Sequence, residues 1–348
     1  MKENGELIFI TPEYWLKNLH SQKLRNYIIS KCFIKEIYYL NEIDIFKNVK
    51  SSFIIIKIVK QKINPKIKIY KIKKEEKNLE NIFYNKKRCF DFFEIDQFKF
   101  NKKWLLYEKK LTDECYKLEN SCSGSKIQKE LFETNKINTL EKISTIANGL
   151  VSGYDKAFLC DDNLYDKLNK KEKAGLVKIV KSKNLSNYKF NGYKKYIFLN
   201  NTKIKNFKKD FPNLFFHFKN YKSKLNKRYD YKNNINYWEW SFLRSYEIQK
   251  SNKKKICIPC KLRIKDFRDI KFSLIDEKYL LSQDVTSIFI NADISENIKY
   301  ILAFLNSTIV KKWIFINNNN RGNVLEFSEE PLKNIPIRLI NWKNKKEV

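Results

Sequence analysis

The sequence predicts an α/β segment at its start and an α+β region after it. Three observations predict it. Residues 1–60 run strand, helix, strand, strand, which is half of an α/β sheet. From Trp104 onward, short strands, helices and polar loops mix without that alternation. Within the second region lies Asn148–Leu159, Asn-Gly-Leu-Val-Ser-Gly-Tyr-Asp-Lys-Ala-Phe-Leu, with two of only seven glycines, Gly149 and Gly153. A chain this poor in glycine places one mostly where the backbone needs φ > 0 or a close neighbour. The pair reads as a turn between short strands, with a purely structural hairpin as the plain alternative.

The first region is read element by element. Glu6 to Thr11 is a continuous apolar run, the pattern of a buried strand in a parallel sheet, and Pro12 ends it. Leu16 to Lys31 shows helical spacing, with Leu16, His20, Leu24, Tyr27 and Ile28 on one face. Ile34 to Leu40 and Ser52 to Val59 are the second and third strands. Three strands and one helix leave an open, apolar edge that something should cover. Residues 61–103 read as a basic connector, in which Lys66-Ile-Lys-Ile-Tyr-Lys-Ile-Lys-Lys alternates like a charged edge strand.

In the second region, Asp210 to Arg228 reads as one helix. Asp210 is its cap, Pro212 sits in its first turn, and Phe215, Phe218, Tyr221 and Leu225 form the apolar stripe. Its lysines are either a solvated face or phosphate contacts. Tyr237 to Arg244 reads as a packed strand, with a base-stacking platform as the alternative. Glu296 to Phe315 is the strongest helix and reads as core. Asn317 to Asn323 is a polar loop carrying Arg321, a candidate for a groove or a phosphate, or a solvated tip.

The net charge of +32 exceeds what solubility needs and points to a polyanionic partner. Lys, Asn, Ile, Tyr and Phe are inflated together, as codon usage in an AT-rich genome would do, so much of the lysine is read as solvated surface. The eight arginines among the 71 basic residues carry more information each. Seven cysteines sit in a chain too long to need disulfide staples. With no signal peptide and no apolar run able to span a bilayer, the expected compartment is cytoplasmic and reducing. Cys257-Ile-Pro-Cys260 is a lone CxxC, without the second pair or nearby histidines that a structural zinc site wants, and reads as part of a strand ending at Pro259.

Residues 5–60 resemble the last part of the catalytic domain of TaqI-like adenine-specific N6 DNA methyltransferases. The matching pieces are Gly5-Glu-Leu-Ile-Phe-Ile-Thr-Pro-Glu-Tyr-Trp-Leu, Lys23-Leu-Arg-Asn-Tyr-Ile and Ile45-Phe-Lys-Asn-Val-Lys-Ser-Ser-Phe-Ile-Ile-Ile. From Trp104 the chain resembles the specificity domain of the same enzymes. The carriers are Trp104 at the place of the family's Trp-containing strand, Leu140 to Phe158, the basic helix Asp210 to Arg228, Leu305-Asn-Ser-Thr and Ile335-Pro-Ile, in the family's order.

The resemblance implies an end of a methyltransferase Rossmann-like sheet (1–60), a connector (61–103) and a target-recognition domain (104–348). In the family the final two strands form an antiparallel hairpin at the sheet edge. An aromatic before the last one packs on the flipped adenine, a position filled by Phe46; a ring restores the stacking a flipped base loses. Double-stranded DNA is the implied partner, with Lys47, Lys50, Ser152, Tyr154, Lys156, Lys222, Arg228, Arg244 and Arg321 as candidate contacts. The family's Gly-rich turn for S-adenosylmethionine and its Pro-Pro catalytic loop have no counterpart. None of the six prolines is adjacent to another. The expectation is therefore that both lie upstream of residue 1. The complete enzyme would use S-adenosylmethionine, while this chain alone holds neither the cofactor nor a catalytic residue and binds no metal. The alternatives are the specificity subunit of a split methyltransferase, docking on a separate chain through the open edge, and a stand-alone DNA-binding remnant.

Overall fold

The computed structural model describes residues 1–18, 20–40, 43, 45–46, 49, 51–60, 66–73, 82, 84–99, 102–123, 137–200, 202–229, 234–251, 253–276, 278–318, 320–321 and 324–342. They form a mixed α/β structure with several sheets. The chain divides into two compact units. The first is Met1–Ser123 with Arg263–Asp269 and Thr308–Glu326; the second is Gly124–Leu262 with Ile270–Ser307 and Phe327–Val348. Later segments thus return to the first unit.

The first unit is built on a five-stranded sheet of β1 (Glu6–Pro12), β2 (Phe33–Tyr39), β3 (Phe53–Val59), β4 (Ile67–Ile72) and β5 (Phe90–Ile95). Its order is β1-β3-β2-β4-β5. β3 is antiparallel to both β1 and β2, β4 is parallel to β2, and β5 is antiparallel to β4. The expected strands at 6–11, 34–40 and 52–59 are present, and β2 and β3 pair antiparallel as expected. Their surroundings differ. β1 is not buried; it is the edge strand, with Leu7, Ile8 and Ile10 exposed. The β2–β3 pair is internal, because β4 continues the sheet beyond β2. β4 itself is a central strand. Ile67 and Ile69 are buried in one core cluster and Ile72 in another on the opposite face, so the strand buries residues on both faces and is not a charged edge.

The helix after β1 is Gln22–Lys31, preceded by a 3-10 turn at Glu13–Leu16. Leu24 and Tyr27 are exposed, contrary to the expected apolar face, and Arg25 is buried in their place. Its guanidinium donates to the carbonyls of Trp15 (2.7 Å) and Asn18 (2.8 Å), joining the turn to the helix. Hydrogen bonds from a charged donor are the stronger kind, about 1.5–3 kcal/mol each, which offsets the cost of burying the cation. Trp104 has no strand pairing. It is fully buried in this unit's core, stacked on Phe98 at 4.7 Å and edge-on to Trp15 at 5.4 Å.

The second unit holds two four-stranded sheets. One comprises β6 (Ser144–Asn148), β10 (Lys255–Pro259), β12 (Ser273–Ile275) and β14 (Val285–Ile290), in the order β12-β10-β14-β6 and antiparallel throughout. The other comprises β7 (Leu159–Cys160), β8 (Leu176–Val180), β9 (Lys194–Ile197) and β13 (Leu280–Leu281), in the order β13-β8-β9-β7. Between β10 and β12 in sequence lies a short strand, β11 (Lys261–Arg263). The CxxC segment ends β10 at Pro259 as expected, with Cys257 buried and its thiol pushed upward by that burial.

Three expected elements are shaped differently. The 210–228 helix is three short helices, Phe207–Asp210, Pro212–Lys219 and Lys222–Asn226. Asp210 does not cap the middle one. Its carboxylate accepts from the N–H groups of Lys205 and Asn206, while buried Glu172 accepts from Asn213 N (2.8 Å) and Leu214 N (3.1 Å). A buried carboxylate on orphan helix N–H groups is favourable for both dipole and hydrogen-bond reasons. Tyr237 to Arg244 is not a strand but turns around Trp240, whose indole donates to Ile197 O (2.8 Å). The 296–315 helix divides into Ile298–Leu305 and Thr308–Asn317, and the halves belong to different units. Asn306 ends the first half and fastens it to Phe272 by both amide atoms, donating at 2.9 Å and accepting at 3.1 Å.

Candidate nucleic-acid interface

Asn148–Leu159 is a crossover, not a hairpin. β6 enters it from the first sheet of the second unit and β7 leaves it in the second sheet. Leu280 to Val285 makes the same passage, and the two segments touch backbone to backbone. Gly149 N donates to Val285 O (3.1 Å) and Leu150 N to Leu281 O (2.8 Å). A Cβ on Gly149 would lie 1.9 Å from Ser282 O, so glycine is the residue that permits the crossing. Gly153 has φ +79°, where L side chains are strained, and a Cβ there would also meet Ser241 Oγ and Arg228 Cδ. The two reasons anticipated for glycine, positive φ and close approach, are divided between the two positions.

Polar side chains then lock the crossover. Ser152 is buried and its hydroxyl donates to Asp155, which also pairs with Lys181. Burial opposes the charge of Lys181, but Asp155 prevails and its pKa is raised. Arg228 donates to the carbonyls of Ser152 (2.9 Å), Asn236 (3.1 Å) and Glu239, and its guanidinium lies 5.5 Å from the Phe158 ring centroid. Buried Gln249 bridges the sheets, donating to Asn148 O (2.8 Å) and accepting from Leu281 N (3.0 Å). His217 shares a 2.8 Å hydrogen bond with Ala157 O, and burial lowers its pKa. Asp284 accepts from the Ser182 hydroxyl (2.7 Å) and from Ser282. Burial opposes its ionisation, but these donors hold its carboxyl below the ordinary value.

The candidate contacts therefore separate by what they touch. Ser152 and Arg228 are engaged inside the crossover. Lys156 is exposed on the short helix Asp155–Phe158. Tyr154 is half-buried, 6.0 Å from the Tyr221 ring, with Lys224 reaching its hydroxyl at 3.5 Å. Lys222 is exposed beside Tyr237, and Arg244 is exposed beside Phe242. Phe46, in the first unit, is 43% exposed and edge-on to Phe53 at 5.1 Å. Lys47 and Lys50 lie outside the described residues. The backbone of Arg321 forms a short strand whose partner is Val324.

The sequence reading missed Gln249, Lys181 and Glu172, whose bonds to Asn148, Asp155 and Asn213 cross 26 or more residues; Glu172 also closes a local capping box with Asn169. It also missed a polar cluster in the first unit. The Tyr39 hydroxyl bonds the Glu13 carboxyl, and Lys71 lies 3.9 Å from the Tyr107 ring centroid. Burial raises Glu13 and lowers Lys17 to about 8 and Lys71 to about 7. The signal available was a lysine inside an apolar alternation. Among the described residues no group of three or more His, Cys, Asp or Glu is placed to hold a metal ion. No helix among them is long and apolar enough to cross a membrane.

Residues 1–46 match the family described as Eco57I restriction-modification methylase. Over its whole length the chain is similar to the type II methyltransferases M.HindII and M.HincII of Haemophilus influenzae. Identity is 36% over 354 aligned residues and 34% over 351. The chain belongs to the restriction–modification methyltransferase family. It spans 66% and 65% of the lengths of these two relatives. The fold resembles that of the type IIL restriction-modification enzyme MmeI, solved in complex with DNA. The TM-score is 0.61 at 12% identity, covering 96% of this chain and 39% of that one.

Proposed function

We propose that this chain is the target-recognition part of an adenine-N6, S-adenosylmethionine-dependent DNA methyltransferase of a restriction–modification system, working in the cytoplasm. The observation that supports it best is the crossover. Two glycines let the backbone pass through a crowded place, and Arg228, Gln249 and Asp155 hold it in one conformation. Base readout needs groups held still, since a bidentate contact discriminates only when its donors are fixed. Lys156 and Tyr154 on the crossover, with Lys222, Lys224 and Arg244 nearby in sequence to its partners, supply phosphate contacts and register. Ser152 and Arg228 act behind that surface as positioning residues. In the first unit, Phe46 is the ring offered to a flipped adenine.

Methyl transfer is assigned to a segment outside these 348 residues. No Pro-Pro pair occurs among the six prolines, and no glycine-rich turn follows a strand. A second reading, in which that segment is a separate subunit, is favoured by the exposed apolar edge at β1. The test is DNA binding and methyl transfer measured on the same preparation. Expected is sequence-preferring binding to duplex DNA, with no labelled methyl group transferred from S-adenosylmethionine. Absence of DNA binding at low salt rejects recognition; methyl transfer by the chain alone rejects the missing chemistry.

A further inference from the structure

Tyr188 stands where its backbone is strained and its ring is unused. Its φ is +68°. The other non-glycine residues with positive φ among the described residues are Asn4, Asn234 and Ser245, all small. Asparagine and glycine enter this region readily, whereas a bulky aromatic is an outlier there. The loop that carries Tyr188 is firmly fastened. Leu185 and Phe190 close it by an antiparallel bridge and pack on the core around Ile275 and Leu281. Ser186 N donates to Ser273 Oγ (3.1 Å), which donates back to Ser186 O (2.6 Å). Tyr188 donates its own N–H to Phe272 O (2.8 Å) and accepts from Leu274 N (3.0 Å), so its backbone covers the outer edge of β12. That task needs no ring, and glycine or asparagine would perform it with less strain. The ring is 51% exposed; among the described residues it stacks on no other ring, and its hydroxyl has no hydrogen-bond partner. Lys189 beside it, and Lys271 beside the Phe272 it bonds, are exposed.

We propose that Tyr188 is a wedge for duplex DNA: its ring enters a base step of the recognised site and stacks on the bases it parts, fixing the register of the duplex on the second unit. The proposal rests on the functional reading above, in which this chain is the target-recognition part. A side chain that parts a base step must stand clear of the surface on a backbone that does not yield. Tyr188 meets both conditions, being exposed and bonded through both its N–H and its C=O. Every base has a π face, so the stack forms at any step, while the cost of opening the step varies with sequence and adds indirect readout. Lys189 and Lys271 supply the positive charge that flanking phosphates need. Strain that the surrounding structure over-determines marks a residue kept for a role other than stability.

The test uses the full 348-residue chain. A bound duplex is first selected from a random-sequence pool, and its affinity, the salt slope of binding and the urea midpoint are then measured for Tyr188→Gly, Tyr188→Asn and Tyr188→Phe. Glycine and asparagine relieve the positive φ, so their urea midpoints should equal or exceed that of the wild type. Their affinity should fall by about tenfold or more, the effect of one lost base–ring stack. The salt slope should stay, because no phosphate contact is removed. Tyr188→Phe keeps the ring and should bind as the wild type does. 2-Aminopurine placed in turn along the selected duplex should show a fluorescence change at one step that Tyr188→Gly abolishes. The proposal is overturned by unchanged affinity in the glycine and asparagine variants, by a loss that Tyr188→Phe shares, or by a loss that accompanies a lowered urea midpoint. In those cases selection of a duplex by the wild type leaves the functional reading standing. A wild type that selects no duplex rejects the functional reading and the wedge together.

Discussion

Gly149 is required by steric exclusion alone. Its missing Cβ would occupy a point 1.9 Å from a backbone oxygen, which cannot swing aside as a flexible side chain does. Gly149→Ala is therefore expected to destabilise the second unit by about 3 kcal/mol, the upper range for forced overpacking. Gly153→Ala, strained through φ, is expected to cost about 1–2 kcal/mol. Urea midpoints followed by tryptophan fluorescence would rank them; an order reversed would mean that the crossover can shift. The arginine and lysine of this region should separate by a different measurement. Arg228→Lys loses the fork that reaches three carbonyls, so stability should fall by about 2 kcal/mol while the salt slope of DNA binding stays. Lys156→Ala should leave stability within about 0.5 kcal/mol and reduce the salt slope by about 1, as for a phosphate contact. Equal slopes in the two variants would contradict the division into positioning and contacting residues.

Among the elements, the strands of the first region were legible in the sequence because β-branched runs bounded by Pro12 and polar loops leave few other readings. Their neighbours were not legible. Alternating lysine and isoleucine does not tell an internal strand from a charged edge, and an apolar run does not tell an exposed edge from a buried strand, which is why β4 and β1 exchanged roles. Helical spacing likewise misassigned Leu24, since Arg25 finds three carbonyl acceptors that only the fold brings together. Among the candidate contacts, the glycines were legible as special, while the engagement of half-buried Arg228 and of buried Ser152 depended on carbonyls from 236 and 239 and a carboxylate from 155.

β4 also carries a prediction of its own. Burial lowers Lys71 to about 7 from 10.5, and Lys17 to about 8, so between those values and 10.5 the unfolded chain holds protons that the folded chain releases. Stability from these groups is present above pH 10.5 and lost as pH falls toward 7. The first unit should therefore resist urea better at pH 9 than at pH 7. Lys71→Met should raise the midpoint at pH 7 and shrink the difference, and adding Lys17→Met should nearly remove it. A difference unchanged in the double variant would place the titration elsewhere.

At the scale of the whole molecule the question is how much of the +32 charge meets DNA. Counterion release depends on the phosphates neutralised, not on net charge, with a slope of about −0.9 per phosphate contact. The cations here are distributed over both compact units, and many are spent locally. Lys181 pairs with Asp155, Lys312 with Glu114, Lys57 with Glu6, and Lys333 with Glu329 and Glu330. Others lie over aromatic rings, as Lys195 does over Tyr165 at 3.4 Å. A target-recognition surface centred on the crossover should engage roughly 6–10 phosphates, the range of ordinary specific binders, and lose about three to five orders of magnitude in affinity between 50 and 200 mM salt. A slope near −0.9 times that number, with residual preference for one duplex sequence at high salt, is the expected result. A slope several times steeper, with no sequence preference at any salt, would mean that the lysine excess binds DNA as a diffuse polycation, and the crossover would lose its claim to the recognition role.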